Sequence, residues 1–310
     1  MTRVLSAVAL AALALMTSAA QAASQSSATI SGLNFTLIDL DPNDGITPSF
    51  SFLTTKGSTA LTLSANDTQL GESDSMSATR PGTFSFTRDQ LANITNADVS
   101  GSLSSDALSV KGAAYGPNTS YNAAASTGAQ TSGYYYNLPL NLSLTANSLL
   151  LIDANIQLKA EASNPQACSS NYYYCTNTET ATATASSSLA YSYAGTSISA
   201  TYNGAVTRTL QANAHGESTN YGYVYDPALG YATYTYTTTP KVEEYKVLDE
   251  SLRNVFSNSS NLTQSATFGL SVSALGQAMT QAIPEPGTCA LMLQGLLLGG
   301  WLLRRSRRAV

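Results

Sequence analysis

Charge is what this sequence most lacks. Asp, Glu, Lys and Arg make up 11% of its 310 residues, with 14 basic residues against 19 acidic ones. An acidic, Lys-poor surface excludes nucleic-acid binding, because phosphates demand basic patches. Anionic lipid would repel it too. Histidine is nearly absent, His215 being the single one. A hydrolytic triad would have to use it, yet no Gly-x-Ser-x-Gly elbow picks out a nucleophile, and His215-Gly216-Glu217 reads as a turn. No phosphate-cradling glycine loop and no metal-ligand cluster occurs. Glu243/Glu244 and Asp249/Glu250 sit in a polar run that reads as solvated, not as the facing carboxylates of a glycosidase. The chain therefore reads as a non-enzyme with no cofactor.

Cysteine is scarce: Cys168, Cys175 and Cys289. The first two bracket Cys168-Ser-Ser-Asn-Tyr-Tyr-Tyr-Cys175. A zinc site normally needs four ligands, and His215 is the one imidazole on offer. In an exported chain the natural reading is a disulfide. Closing so small a loop would contribute about 2–3 kcal/mol in the chain-entropy model.

Export is written into both ends. Arg3 precedes an apolar run from Val4 to Met16, and Ala20-Gln21-Ala22 fits small-x-small cleavage by signal peptidase after Ala22. Residues 1–22 thus read as a signal helix. Near the other end, Pro284-Glu285-Pro286 opens a stretch without charge to Leu303, followed by Arg304, Arg305, Arg307 and Arg308. As a helix, Pro286 to Leu303 would rise about 27 Å at roughly 1.5 Å per residue, close to a bilayer core of about 30 Å. The arginines would hold its end in the cytoplasm. Cys289 would lie inside this segment.

The segment 283–310 resembles the PEP-CTERM sorting signal. Pro284, Glu285, Pro286 and Gly287, the Leu/Gly-rich run and the Arg cluster carry the resemblance. It implies recognition by exosortase, a membrane transpeptidase that cuts near the Pro-Glu-Pro. The anchor in the inner membrane would then be transient, and the mature chain would end at the cell surface or outside the cell. It also implies a bacterium that makes extracellular polysaccharide, and hence a biofilm or exopolysaccharide setting.

Between the two ends lies an exported region, 23–282. Removing Arg3 and the four tail arginines from the 14 basic residues, and Glu285 from the 19 acidic ones, takes the net charge from −5 to about −9. Ser, Thr, Ala, Asn, Gly and Tyr abound there, in proportions that suit a sticky surface better than a catalytic cleft. The dominant pattern is alternation. Leu138, Leu140, Leu142 and Leu144 repeat every second residue, as do Ala154, Ile156, Leu158, Ala160 and Ala162. Shorter echoes are Phe35/Leu37, Phe50/Phe52, Leu61/Leu63, Phe84/Phe86, Tyr191/Tyr193, Tyr221/Tyr223/Tyr225, Tyr234/Tyr236 and Phe268/Leu270/Val272. Period two puts these side chains on one face of a strand, and Thr and Tyr favour strands. Asn43-Asp44-Gly45, Arg80-Pro81-Gly82, Gly116-Pro117-Asn118, Asn203-Gly204 and Asp226-Pro227 punctuate them as turns. Many short strands with frequent turns predict an all-β fold, an antiparallel β-sandwich. Lys241 to Phe256 is ambiguous: Tyr245, Leu248, Leu252 and Val255 sit near helical spacing, but the β context favours a strand. The runs Asn137 to Ala162 and Asn254 to Ala274 are loosely similar to other PEP-CTERM cargo, which agrees with an exported β-sandwich and implies no reaction.

Three binding features stand out. Asp39-Leu40-Asp41-Pro42-Asn43-Asp44-Gly45 places oxygen ligands at every second position, like a calcium loop. Its spacing departs from an EF-hand: the sixth position is Asp44 and the twelfth is Phe50, so a plain turn is the better reading. Tyr134-Tyr135-Tyr136 and Tyr172-Tyr173-Tyr174 are aromatic clusters. Exposed tyrosine can stack on sugar while its hydroxyl hydrogen-bonds, although strand packing and loop anchoring explain most tyrosines. Asn66, Asn93, Asn141 and Asn261 begin Asn-x-Ser/Thr sequences, which matter only where glycosylation machinery exists. The leading reading is thus a non-enzymatic surface or matrix protein. Its alternative is a carbohydrate-binding module, with a matrix glycan hydrolase third.

Overall fold

The computed structural model describes residues 23–52, 58–81, 88–103, 107–116, 118–127, 140–163, 178–194, 199–228 and 231–278. All belong to one unit spanning 22–280. The expected signal helix and transmembrane sorting helix lie outside the described residues, and so do the cysteines and both tyrosine triplets. Among the described residues no helix is long and apolar enough to cross a membrane.

Every regular element described is a strand. The first eight are β1 (Ala23–Asp39), β2 (Phe50–Phe52), β3 (Ser58–Asp67), β4 (Glu72–Pro81), β5 (Arg88–Ile94), β6 (Ala97–Leu103), β7 (Ala107–Ala114) and β8 (Thr119–Thr127). The rest are β9 (Leu140–Leu144), β10 (Ser148–Ser163), β11 (Thr178–Ala194), β12 (Ser199–His215), β13 (Ser218–Asp226), β14 (Tyr231–Thr239), β15 (Glu244–Asn258) and β16 (Gln264–Ala278). One sheet has the order β15-β10-β1-β7-β6-β5. The other runs β12-β11-β16-β8-β3-β4, with β9 also on β16 and β2 on β9. All pairings are antiparallel. The sheets face each other in the same order: β15 over β12, β10 over β11, β1 over β16, β7 over β8 and β5 over β4. This is a two-layer sandwich, as the alternating pattern predicts.

Period two decides which side chains meet between the layers. Ala154, Ile156, Leu158, Ala160 and Ala162 of β10 are all buried, and so are Leu61 and Leu63 of β3, Leu142 and Leu144 of β9, and Phe268, Leu270 and Val272 of β16. The largest fully buried side chains include Phe256, Phe268, Ile30 and Leu150. At one flank Ala160, Ala162, Ala181, Ala212 and Ala214 form a separate all-alanine cluster. β15 settles the ambiguous stretch as a strand. Leu252 faces inward and Leu248 is half-buried, while Tyr245 and Val255 project from the outer face, so their helical spacing is incidental. Two expectations are corrected. Asn203-Gly204 is not a turn: it lies within β12, opposite Ala190 and Leu189. β12 is an edge strand paired only with β11, where residues of weak strand propensity are tolerated. Nor are all strands short, since β1, β11 and β12 each run 17 residues.

β1 keeps its apolar residues inward along that length by a bulge. Ser31 pairs with Asn155 and Asn34 with Asp153, leaving Gly32 and Leu33 opposite one residue. The extra residue moves the inward positions from Ala28 and Ile30 to Leu33, Phe35 and Leu37. Phe35 then meets Phe50 at 5.2 Å and Phe52 at 5.3 Å between ring centroids. Gly32 holds φ at +63°, and a Cβ there would lie 2.9 Å from Nδ2 of Asn155. Gly32→Ala is expected to destabilise the protein by about 1–2 kcal/mol, chiefly through the left-handed backbone. A Gly32→Ala protein melting at the wild-type temperature would disprove this requirement.

Both open sides of the sandwich are tied by side chains, which protects edge strands from pairing with other chains. On one side Glu72 of β4 accepts from the backbone N–H of Thr95 at 2.9 Å, and Asp74 from that of Asn93 at 3.1 Å. On the other, Glu244 of β15 accepts from the N–H of Asn213 at 2.8 Å, and Lys246 donates to the carbonyl of Gln211 at 2.8 Å.

Candidate functional site

The element that the sandwich does not absorb is the hairpin of β13 and β14. It leaves the end of β12 and returns to the start of β15, the edge strands of opposite sheets. Its base is pinched by reciprocal backbone bonds between His215 and Val242, 3.1 and 3.0 Å long. Its substantial packing is of one strand against the other. Val224 and Tyr225 are neighbours and therefore point to opposite faces, yet they are 53% and 64% exposed. The ribbon consequently stands in solvent on both sides at that point.

The register sets tyrosine against tyrosine. Tyr221 pairs with Tyr236 and Tyr223 with Tyr234, while Tyr225 pairs with Ala232. These positions share one face of the ribbon, because residues two apart and residues directly opposite are on the same side. The Asp226-Pro227 turn closes the hairpin as the sequence predicts, with β13 ending at Asp226 and a turn over 227–228. The alternating tyrosines were visible in the sequence as strand pattern. That the hairpin stands apart from the sandwich was not, because periodicity reports a face and not what covers it.

The other sequence candidates serve local structure. Asp39 accepts from the N–H of Asp41 at 3.0 Å, Asp41 from that of Asn43 at 3.3 Å, and Asp44 from that of Ile46 at 2.7 Å. The second oxygen of Asp44 accepts from Nδ2 of Asn147 at 2.6 Å, and the N–H of Asp44 donates to the carbonyl of Asp41. Gly45 carries φ +74°. The calcium-like segment is a chain of side-chain-capped turns. Among the described residues no group of three or more His, Cys, Asp or Glu is arranged to hold a metal ion. Of the acidic run, Glu243 pairs with Lys241 at 2.6 Å, Glu244 with Lys246 at 2.8 Å and Glu250 with Arg208 at 2.9 Å. The hydrogen bond from Lys246, then that from the N–H of Asn213, holds the Glu244 carboxyl below the usual glutamate value. These exposed pairs are the solvated run that the sequence implies.

The sorting residues Pro284, Glu285, Pro286, Arg304, Arg305, Arg307 and Arg308, the cleavage residues Ala20 and Ala22, Cys168 and Cys175, and Tyr134–Tyr136 and Tyr172–Tyr174 all lie outside the described residues. Sequence reasoning missed Asn258, whose buried Nδ2 donates to the carbonyls of Leu144, Thr145 and Leu262 and ties two loops together. No protein-family model, no curated protein and no solved structure matches this chain.

Proposed function

We propose that the chain is an exported, non-enzymatic surface or extracellular-matrix protein. In this reading residues 1–22 direct it through the inner membrane, and a transient anchor over 283–310 is removed by an exosortase. The observation that carries the proposal is the order of the final segment: Pro284-Glu285-Pro286, an uncharged stretch of membrane length, then four arginines. A β-sandwich with tied edges agrees with life outside the cell, since it resists pairing with neighbours. Secreted material is expected to end near Ile283 to Glu285 when its C-terminal peptide is weighed by mass spectrometry. Glu285→Ala should leave the protein in the inner-membrane fraction. Extracellular protein that still carries Arg308 would refute the processing.

A second reading, a carbohydrate-binding module, is favoured by one specific observation. The exposed ribbon sets tyrosine pairs at positions along one face, and tyrosine joins an apolar ring to a hydrogen-bonding hydroxyl.

A further inference from the structure

We propose that the β13–β14 ribbon, rather than the Tyr134–Tyr136 or Tyr172–Tyr174 clusters, is the glycan-contacting element, and that it takes a neutral polysaccharide. This deepens the carbohydrate-binding reading and rests on it. The first argument is energetic. A lone two-stranded hairpin is at best marginally stable in water, and this one packs chiefly on itself. Large apolar side chains left in solvent, as Val224 and Tyr225 are here, mark an interaction site when they recur along one element. The second argument is geometric. Tyr221, Tyr223, Tyr225, Tyr234 and Tyr236 occupy register positions on one face. Successive positions on that face are about 6.8 Å apart along a strand, and opposite ones are about 5 Å apart. The register thus lays tyrosine positions in an elongated row on a face where Tyr225 and Ala232 are exposed, which suits the flank of an extended polymer better than a small enclosed ligand.

The third argument is charge. The 18 strand residues Ser218–Asp226 and Tyr231–Thr239 contain one carboxylate, Asp226, and no Lys, Arg or His, and tyrosine is neutral at pH 7. An anionic polymer would find no cation there, and a cationic one would find a single carboxylate at the tip. What remains is mostly Tyr and Thr, with Ser218, Asn220, Gly222, Val224 and Ala232, a composition of hydroxyls and apolar rings. That set complements an uncharged chain of hydroxyl-bearing rings. The His215–Val242 bridge anchors the platform where it joins the sandwich.

The test uses the full chain, purified in detergent, so that it does not depend on export or tail cleavage. Native gels cast with hydroxyethyl cellulose, dextran or alginate measure retardation. At least one neutral polymer should retard the protein and alginate should not. Tyr223→Ala combined with Tyr234→Ala should weaken the apparent dissociation constant about tenfold or more, while replacing Tyr134–Tyr136 with alanine should leave it within about twofold. The thermal melt of the ribbon variant should stay at the wild-type value, and the exposed Tyr225→Ser provides a milder second variant. Retardation lost in the Tyr134–Tyr136 variant and kept in both ribbon variants would keep glycan binding and overturn the ribbon. No retardation by any neutral polymer would overturn both. A dimer in sedimentation that the ribbon variant dissolves, without retardation, would instead assign the ribbon to a second copy of the chain. Uncleaved secreted protein that is still retarded would remove only the sorting proposal.

Discussion

Gly112→Ala is expected to destabilise the sandwich by about 3 kcal/mol, the upper end of ordinary overpacking. A Cβ on Gly112 would lie 2.1 Å from Cδ2, 2.6 Å from Cε2 and 2.8 Å from Cγ of Tyr121. On the opposite side, a Cβ on Gly276 would lie 2.2 Å from Cε1 of the same ring. Tyr121 is 3% exposed, pairs with Gly276 across β8 and β16, and lies under β7 of the facing sheet. Its ring fills the space that two absent side chains leave. It has no room to retreat: its hydroxyl is held 2.9 Å from Oγ of Ser26, which also donates to the carbonyl of Leu275. Burial pushes the Tyr121 hydroxyl up to about 12, against the opposing pull of its hydrogen bonds with Ser26 and Ser24. The control is a double-mutant cycle. Tyr121→Ala alone should cost about 3–5 kcal/mol as a large-to-small change, but in that background Gly112→Ala should cost little, because the clash has gone. Equal costs with and without the ring would show that contact with Tyr121 is not why residue 112 is glycine.

This pair also shows where reading the sequence stops. The strands themselves were legible: alternation at Ala154–Ala162 and Phe268–Val272 names the buried face because a strand repeats every two residues. Nothing in the local sequence connects Gly112 to Tyr121, since the contact exists only once two sheets are stacked. Asn203-Gly204 failed for the opposite reason. A dipeptide strongly tied to turns is overridden by 17 residues of continuous pairing with β11. The ribbon was half legible, its tyrosines recognised as strand pattern and its exposure hidden. Asp67 was not legible at all, because two of its four donors belong to residues 29 and 52 positions away.

Asp67→Asn is expected to cost about 2 kcal/mol at pH 7, by leaving buried donors without a full acceptor. Asp67 ends β3 with no exposed surface. One oxygen accepts from the N–H groups of Gln69 at 2.8 Å and Leu70 at 2.9 Å. The other accepts from Nδ2 of Asn96 at 2.7 Å and the hydroxyl of Thr119 at 3.3 Å. Asn96 lies between β5 and β6, and Thr119 opens β8, so the carboxylate joins loops of both sheets at one end of the sandwich. Burial pulls its pKa up, and the donors on Leu70, Asn96, Gln69 and Thr119 together outweigh it, leaving the group below its ordinary value. Burial is the largest single influence on the carboxylate, so no one donor offsets it and the four must act together to hold the charge. The direction fixes the pH dependence. A folded pKa below the unfolded value, about 3.9 for aspartate, means that the ionised group stabilises the native state. That contribution is complete above the unfolded pKa and disappears as pH falls through the folded one. An asparagine amide presents N–H where donors already point, much as a protonated Asp67 would. The difference between wild type and Asp67→Asn in thermal unfolding should therefore be largest near pH 7 and shrink steadily below about pH 4. A difference of the same size at pH 7 and pH 2.5 would rule out the charged form as the source of the stabilisation, and a mutant as stable as wild type at pH 7 would rule out the hydrogen-bonded knot itself.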